Sequence, residues 1–376
     1  MAAPQEEAPA TKGPKQPLYH ASTQFRNWRF SFEGLAQVRG SMNEAAVAAI
    51  RRKIEADEVL HVAIAAPGSS SNLSFLSADE EVVLVKLYLT KITQLCGMFR
   101  FPEEVEATGI TYLKRFYLRN TVMDWHPKNV MCASILSAAI RISDRDDRLT
   151  ALFLATKTSN FPISLETYTK HIPKTVPNDV LELEFLVAQS LAFEFAVWHA
   201  HRALWGIWLD VQTLPDLPVK LDTEIYHAAL AHVRASRLTD AELVFAPPQI
   251  ALAAFSLAAP DIASRWLDSK NSGEHRMNPN VIEEIKTLIL SQGHPPEIEA
   301  VREVDRRLKL CKNPEKVPGS KAYLAKKAEE ERKAEEKRAK KADSVQKAMA
   351  GEGDPFGNEL KKSHTALVDY DDDDDD

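Results

Sequence analysis

The stretch Trp198-His199-Ala200-His201 comes nearest to a metal site. A zinc centre needs three or four nitrogen, sulfur or oxygen ligands converging on one point. Histidines at i and i+2 do not share a helix face. No carboxylate or cysteine lies close by in sequence, so no metal is expected. His126-Pro127 reads as a helix start, because proline suits a first turn where its missing N–H is not needed, and not as a catalytic base. Glu283-Glu284 reads as a solvated helix face. Cys96, Cys132 and Cys311 lie far apart along the chain. That is not zinc spacing, and three cysteines suit reduced thiols in an intracellular protein. No phosphate-cradling loop and no nucleophile motif is present. The expectation is a chain with no catalytic residue, no cofactor and no metal.

Composition points the same way. The 376 residues include only 13 Gly, are 44% hydrophobic and 27% charged, and carry a net charge of −7. Seven of the 54 acidic residues fall in Asp369–Asp376, leaving 47 acidic against 47 basic residues in the rest. A neutral body disfavours bulk electrostatic binding to nucleic acid. The most apolar long stretch, Leu181–Trp198, is interrupted by Glu182, Glu184, Gln189 and Glu194, so no membrane span is expected. Met1–Pro17 has no apolar centre of the kind a signal peptide needs.

The apolar residues fall at helical spacing, and no segment of length alternates with period two, so no sheet is expected. Asn43–Leu60 reads as a helix and Ala65–Ser74 as a loop. Ser77 and Glu80 have capping-box spacing ahead of Val82, Val85, Leu89, Ile92 and Cys96. Phe101-Pro102 closes that helix and opens another over Glu103–Asn120. Pro127 opens a third, Pro162 a short fourth, and Asn178 or Asp179 caps a fifth. After a linker at Leu214–Pro218, helices are predicted over Asp222–Ser236, from Pro247-Pro248 to Pro260, over Val281–Leu290, and from Pro295-Pro296 to Cys311. The halves repeat. The interval from Arg115 to Pro127 nearly equals that from Arg237 to Pro248, and each proline opens an Ala-rich helix. The register holds if segment 132–148 is surplus in the first half. A duplicated unit of roughly five helices around a close-packed central one follows. Lys321–Lys347, with ten basic and six acidic residues, reads as an exposed charged helix or arm. Within it, Lys326–Lys341 reads as a solvated face or as an import or docking signal.

Several stretches resemble the cyclins, and among them the cyclin H branch. They are Tyr19-His20-Ala21-Ser22-Thr23-Gln24 with Trp28-Arg29-Phe30, Tyr112-Leu113-Lys114-Arg115-Phe116-Tyr117-Leu118, Val122-Met123-Asp124-Trp125-His126-Pro127, Arg237-Leu238-Thr239-Asp240-Ala241 and Pro248-Gln249-Ile250-Ala251-Leu252. The resemblance runs from residue 19 to about 312. It implies an all-α fold of two tandem cyclin boxes of about five helices each, with flanking N- and C-terminal helices. The expected divisions are a disordered tail (1–18), an N-terminal helix and variable loop (19–75), a first box (76–213), a second box (214–294), a C-terminal helix (295–317) and a charged tail (318–376). It implies a nuclear, non-catalytic subunit that binds and activates a cyclin-dependent kinase. That kinase would act on the activation loops of related kinases and on the C-terminal repeats of RNA polymerase II during transcription initiation. The implied partners are the kinase, a ring-finger assembly factor and the core of transcription factor IIH, with no direct nucleic-acid or membrane contact.

By position, the resemblance implies that Lys157, ending the third helix, and Glu184, on the fifth, form an ion pair that meets the kinase's mobile helix. Leu154 and Phe193 are implied as apolar kinase contacts. Asp261 stands where the second half would need its lysine. Thr158-Ser159-Asn160 replace the acidic residues that often follow the lysine in the family. Segment 132–148 would be a bulge in the central helix or a translated intron. The competing readings are a cyclin C-like protein, a cyclin-fold DNA-binding factor resembling transcription factor IIB, and a helical enzyme.

Overall fold

The computed structural model describes residues 18–61, 74–131, 151–170, 177–215, 221–270, 278–317 and 320–350. The surplus segment 132–148 with Cys132, the tail before residue 18, most of the predicted loop 65–74, the end of the linker 214–218 and the aspartate tail lie outside the described residues. Among the described residues every regular element is helical. The chain divides into two compact units, Met1–Lys316 and Val317–Asp376.

After a 3-10 turn at Leu18–Ala21, the first unit has a short helix, α1 (Thr23–Asn27), capped by Ser22, whose Oγ accepts from Phe25 N–H at 3.2 Å. α2 (Phe32–His61) starts well before the predicted Asn43. α3 (Ala78–Phe99) has the capping box read from the sequence: Ser77 Oγ accepts from Glu80 N–H at 3.3 Å and Glu80 Oε2 from Ser77 N–H at 2.8 Å. α3 ends where Arg100 takes left-handed backbone (φ 55°). It is long and apolar enough to cross a membrane by length and composition alone, a property it shares with helices buried in protein cores. Its apolar face lines a protein core, with Leu84, Ile92 and Leu95 at 1% exposure or less.

α4 (Glu103–Phe116) carries Glu103, Glu104 and Glu106 in its first turn and Lys114 and Arg115 in its last, matching the helix dipole at both ends. It stops one turn short of the predicted Asn120. Every residue from Val105 to Phe116 is buried, so α4 is a central helix. Gly109 allows close approach: a Cβ there would sit 3.2 Å from Leu152 and 3.7 Å from Ala155. Those residues belong to α6 (Ala151–Thr158), which follows α5 (Pro127–Met131). α7 (Leu165–Lys170) and α8 (Pro177–Ser190) complete the group. With α15 (Ile298–Leu308) they enclose one apolar core containing Leu113, Phe116, Val130, Leu152, Val187 and Leu308.

A second core is built from α9 (Ala200–Val211), α10 (Thr223–Ser236), α11 (Ala241–Val244), α12 (Pro247–Ala258), α13 (Pro260–Lys270) and α14 (Pro279–Gln292). α12 is its central helix, with Ile250 through Phe255 all buried. From the sequence no element is predicted over 200–213, and the segment is expected in the first half. In the structure Leu204, Ile207, Trp208 and Val211 point into the second core. Trp28 and Leu35 join this core from the N-terminal segment.

The second unit contains α16 (Lys321–Ala350), 30 residues long, or about 45 Å. Ion pairs one turn apart, such as Lys333–Glu329 at 2.6 Å, line its surface.

Candidate functional site

Lys157 lies in the last turn of α6, where a cation suits the negative end of the helix dipole. The helix closes as Ser159 N–H donates to Ala155 C=O (3.0 Å) and Phe161 N–H to Thr156 C=O (3.0 Å), with Asn160 at φ 59°. Thr158 Oγ1 pairs with the buried Tyr112 hydroxyl at 2.8 Å, fixing that turn against α4. Lys157 Nζ stands 4.6 Å above the Phe153 ring and donates to both Glu184 oxygens, at 2.8 and 3.0 Å. Side-chain exposure is 43% for Lys157 and 20% for Glu184. The structure therefore joins the two residues and leaves them accessible.

The two apolar candidates fare differently. Leu154 is only 5% exposed and belongs to the first core. It packs inward against the core, where the expectation put it on an open contact face. Phe193 is 55% exposed but lies in the turn after α8, not on a helix. Its ring centroid is 6.0 Å from that of Phe185 and 6.3 Å from that of Phe195. Phe185 (67% exposed) extends this apolar edge, and Phe161, just beyond α6, is also exposed (49%). Neither was singled out from the sequence. The signal for Phe185 was present: it falls off the stripe Leu183-Leu186-Val187-Leu191 that α8 sends into the core. Asp261, the second-half counterpart of Lys157, is exposed in the first turn of α13.

The histidine pair serves the join between the cores. The rings of His199 and His201 stack at 5.3 Å, and His201 Nε2 meets Glu104 Oε2 at 3.0 Å. This carboxylate comes from α4, far away in sequence. His199 Nε2 pairs with Thr108 Oγ1 at 2.9 Å, and burial pushes its pKa down to about 3, so it is neutral at pH 7. No group of three or more His, Cys, Asp or Glu suited to a metal occurs among the described residues. His126 caps α5, its Nδ1 accepting from Lys128 N–H at 3.0 Å, while Nε2 meets Asp305 of α15 at 3.2 Å. Cys96 and Cys311 are buried, and burial pushes both thiols up, away from reactivity.

The Cyclin C-terminal domain family matches residues 199–292, a span that starts with α9 and ends with α14. Cyclin mcs2 of Schizosaccharomyces pombe is 31% identical over 328 residues, covering 86% of this chain and 94% of its own. Among solved structures, a chain of the CAK complex from Chaetomium thermophilum bound to ATP-gamma-S superposes with a TM-score of 0.67 at 26% identity, over 83% of this chain and 94% of that one. A chain of the yeast TFIIK (Kin28/Ccl1/Tfb3) complex gives 0.56 at 26% identity, over 72% of this chain and all of that one. With two helical cores each wrapped round a buried central helix, and a relative aligned along nearly its whole length, this chain belongs to the cyclin family.

Proposed function

We propose that the chain is a cyclin H-like regulatory subunit that binds and activates a cyclin-dependent kinase in the nucleus. A protein kinase needs a lysine on its β3 strand paired with a glutamate on a mobile helix before ATP is held correctly. A subunit that binds only the paired arrangement shifts the population toward it and performs no chemistry itself. Such a subunit needs a shaped apolar edge with a few fixed polar anchors.

One observation carries the reading: a lysine held by both oxygens of one carboxylate, beside exposed Phe185 and Phe193. An anchor already ordered in the free chain loses less side-chain entropy on binding. The likeness to chains of the CAK and TFIIK complexes supports a kinase partner and a third, assembly-factor chain. On this reading the complex phosphorylates the activation loops of other kinases and, joined to the transcription factor IIH core, the C-terminal repeats of RNA polymerase II.

The test is association with the kinase that co-purifies from the same cells. Lys157→Ala and Glu184→Ala are each expected to weaken binding about tenfold or more, as removal of a charged anchor does at protein interfaces. Binding and activation equal to the parent in both variants rule out this edge.

A further inference from the structure

Ala192 and Phe193, just beyond α8, hold left-handed backbone, with φ of 53° and 58°. Residues other than glycine stay in that region only where their surroundings impose it. Inside the turn Phe193 N–H donates to Ala188 C=O and Ala192 N–H to Gln189 C=O, both at 2.9 Å. Such bonds close many helices, usually with glycine at the left-handed position. With Ala and Phe there instead, the turn needs support from outside.

The support comes from the N-terminal segment. Glu194 accepts from Asn27 Nδ2 on one oxygen at 2.5 Å and from Trp28 Nε1 on the other at 2.6 Å. Further along, Trp198 N–H donates to Gln24 Oε1 at 2.6 Å, and Gln24 Nε2 donates back to Trp198 C=O at 3.3 Å. The chain leaving the turn is thus fastened to α1 at two points. α1 is itself anchored. Trp28 is 2% exposed, with the Arg115 and Arg119 guanidinium carbons 4.9 and 4.8 Å from its ring. Phe30 N–H donates to Leu243 C=O at 2.8 Å, and Arg29 Nε to Val244 C=O at 3.1 Å. The strap is pinned to the second core and grips a turn that belongs to the first.

We propose that residues 24–28 act as a strap that holds the Ala192-Phe193 turn in its left-handed form, so that Phe193 stands on the kinase-binding edge. Glu194 and Trp28 are then positioning residues that act through Phe193. The inference rests on the docking edge proposed above and adds how that edge is kept in shape.

Two measurements on the full chain test it. In hydrogen exchange, Glu194→Ala is expected to raise exchange of the Phe193 and Glu194 amides about tenfold, the worth of a charge-assisted hydrogen bond, with α3 and α4 unchanged. Glu194→Gln keeps a carbonyl oxygen for the Trp28 indole N–H and should restore most of the protection. Unchanged exchange in Glu194→Ala overturns the strap whatever the kinase does. The second measurement is a double-mutant cycle on kinase affinity. Glu194→Ala should weaken binding about fivefold in the parent and less than about twofold when Phe193 is already alanine. Equal weakening in both backgrounds overturns action through Phe193. Parent-like affinity in both Lys157→Ala and Phe193→Ala overturns the docking edge and the proposal with it. The exchange result tells the two failures apart.

Discussion

Lys157 and Glu184 show why a short ion pair is not itself a stabilising device. Both side chains reach solvent, and an exposed pair contributes about 0–1 kcal/mol to folding, because water and salt screen it and two long side chains must be ordered. Lys157→Ala and Glu184→Ala should therefore each change the free energy of unfolding, measured by denaturant titration, by less than about 1 kcal/mol. A cost of several kcal/mol would assign the pair to the fold instead of to a partner. The pair was legible in the sequence because each residue sits at a position the family resemblance marks. Leu154 was not. It lies one turn before Lys157, about 4.5 Å deeper along the axis, and only the final turn of α6 emerges from between α4 and α8. Phe193 was half legible. An exposed aromatic residue could be guessed, but nothing in Leu191-Ala192-Phe193-Glu194 announces left-handed backbone, since no Gly or Asn is present. Tertiary contacts impose that conformation.

Among the elements, the start of α3 was fully legible, because a capping box is a local pattern that needs no tertiary context. The structure adds that Glu80 has a second task. Arg307 of α15 reaches Glu80 Oε1 and also donates to Phe75 C=O at 2.9 Å and Ser74 Oγ at 3.1 Å. The cap thereby ties the C-terminal helix to the first core. Ser77→Ala removes one cap bond and should cost about 1 kcal/mol. Glu80→Ala removes the reciprocal bond and leaves Arg307 short of its carboxylate, so it should cost more, about 2 kcal/mol. Equal losses in denaturant titrations would mean that Arg307 adds nothing. α9 escaped the sequence reading although Leu204, Ile207, Trp208 and Val211 have the i, i+3, i+4, i+7 pattern of a buried face. No proline, glycine or capping side chain marks its start, as His199 makes no side-chain cap bond, and the preceding helix ends without a glycine.

Across the whole first unit, the two cores meet through a layer of paired charges. Glu103 accepts from Arg234 at 2.6 Å and pairs with Arg237 at 2.7 Å, while Glu106 meets Arg237 at 3.3 Å. Lys114 pairs with Glu242 at 2.9 Å, and Arg39 grips Asp240 with two bonds of 2.7 Å. His199 sits inside this layer. Partners this distant in sequence cannot be matched from periodicity, which reports which face is buried but not what faces it. The layer makes stability depend on pH, and the sign follows from the shifts. Burial keeps His199 neutral in the folded chain down to about pH 3, whereas an unfolded histidine takes up its proton near pH 6.5, so the unfolded state binds more protons between those values. Stability falls as pH drops through that window, by about 2 kcal/mol at pH 5 from this residue alone. His126 is also lowered by burial and adds in the same direction. Burial opposes ionisation of Glu103, but hydrogen bonds from Arg234 and the charge of Arg237 outweigh it and hold Glu103 at about 2. Its contribution is present above the ordinary glutamate value of about 4.3 and is lost as pH falls from there toward 2. Denaturant titrations from pH 8 to 3 should therefore show a plateau above about pH 7, a first decline below about 6.5 and a steeper one below about 4.5. His199→Asn should flatten much of the first decline and leave the second, because the asparagine takes up no proton while the Glu103 pairs stay in place. Stability that holds level from pH 7 to pH 5 in the parent would show that His199 is not kept neutral between the cores.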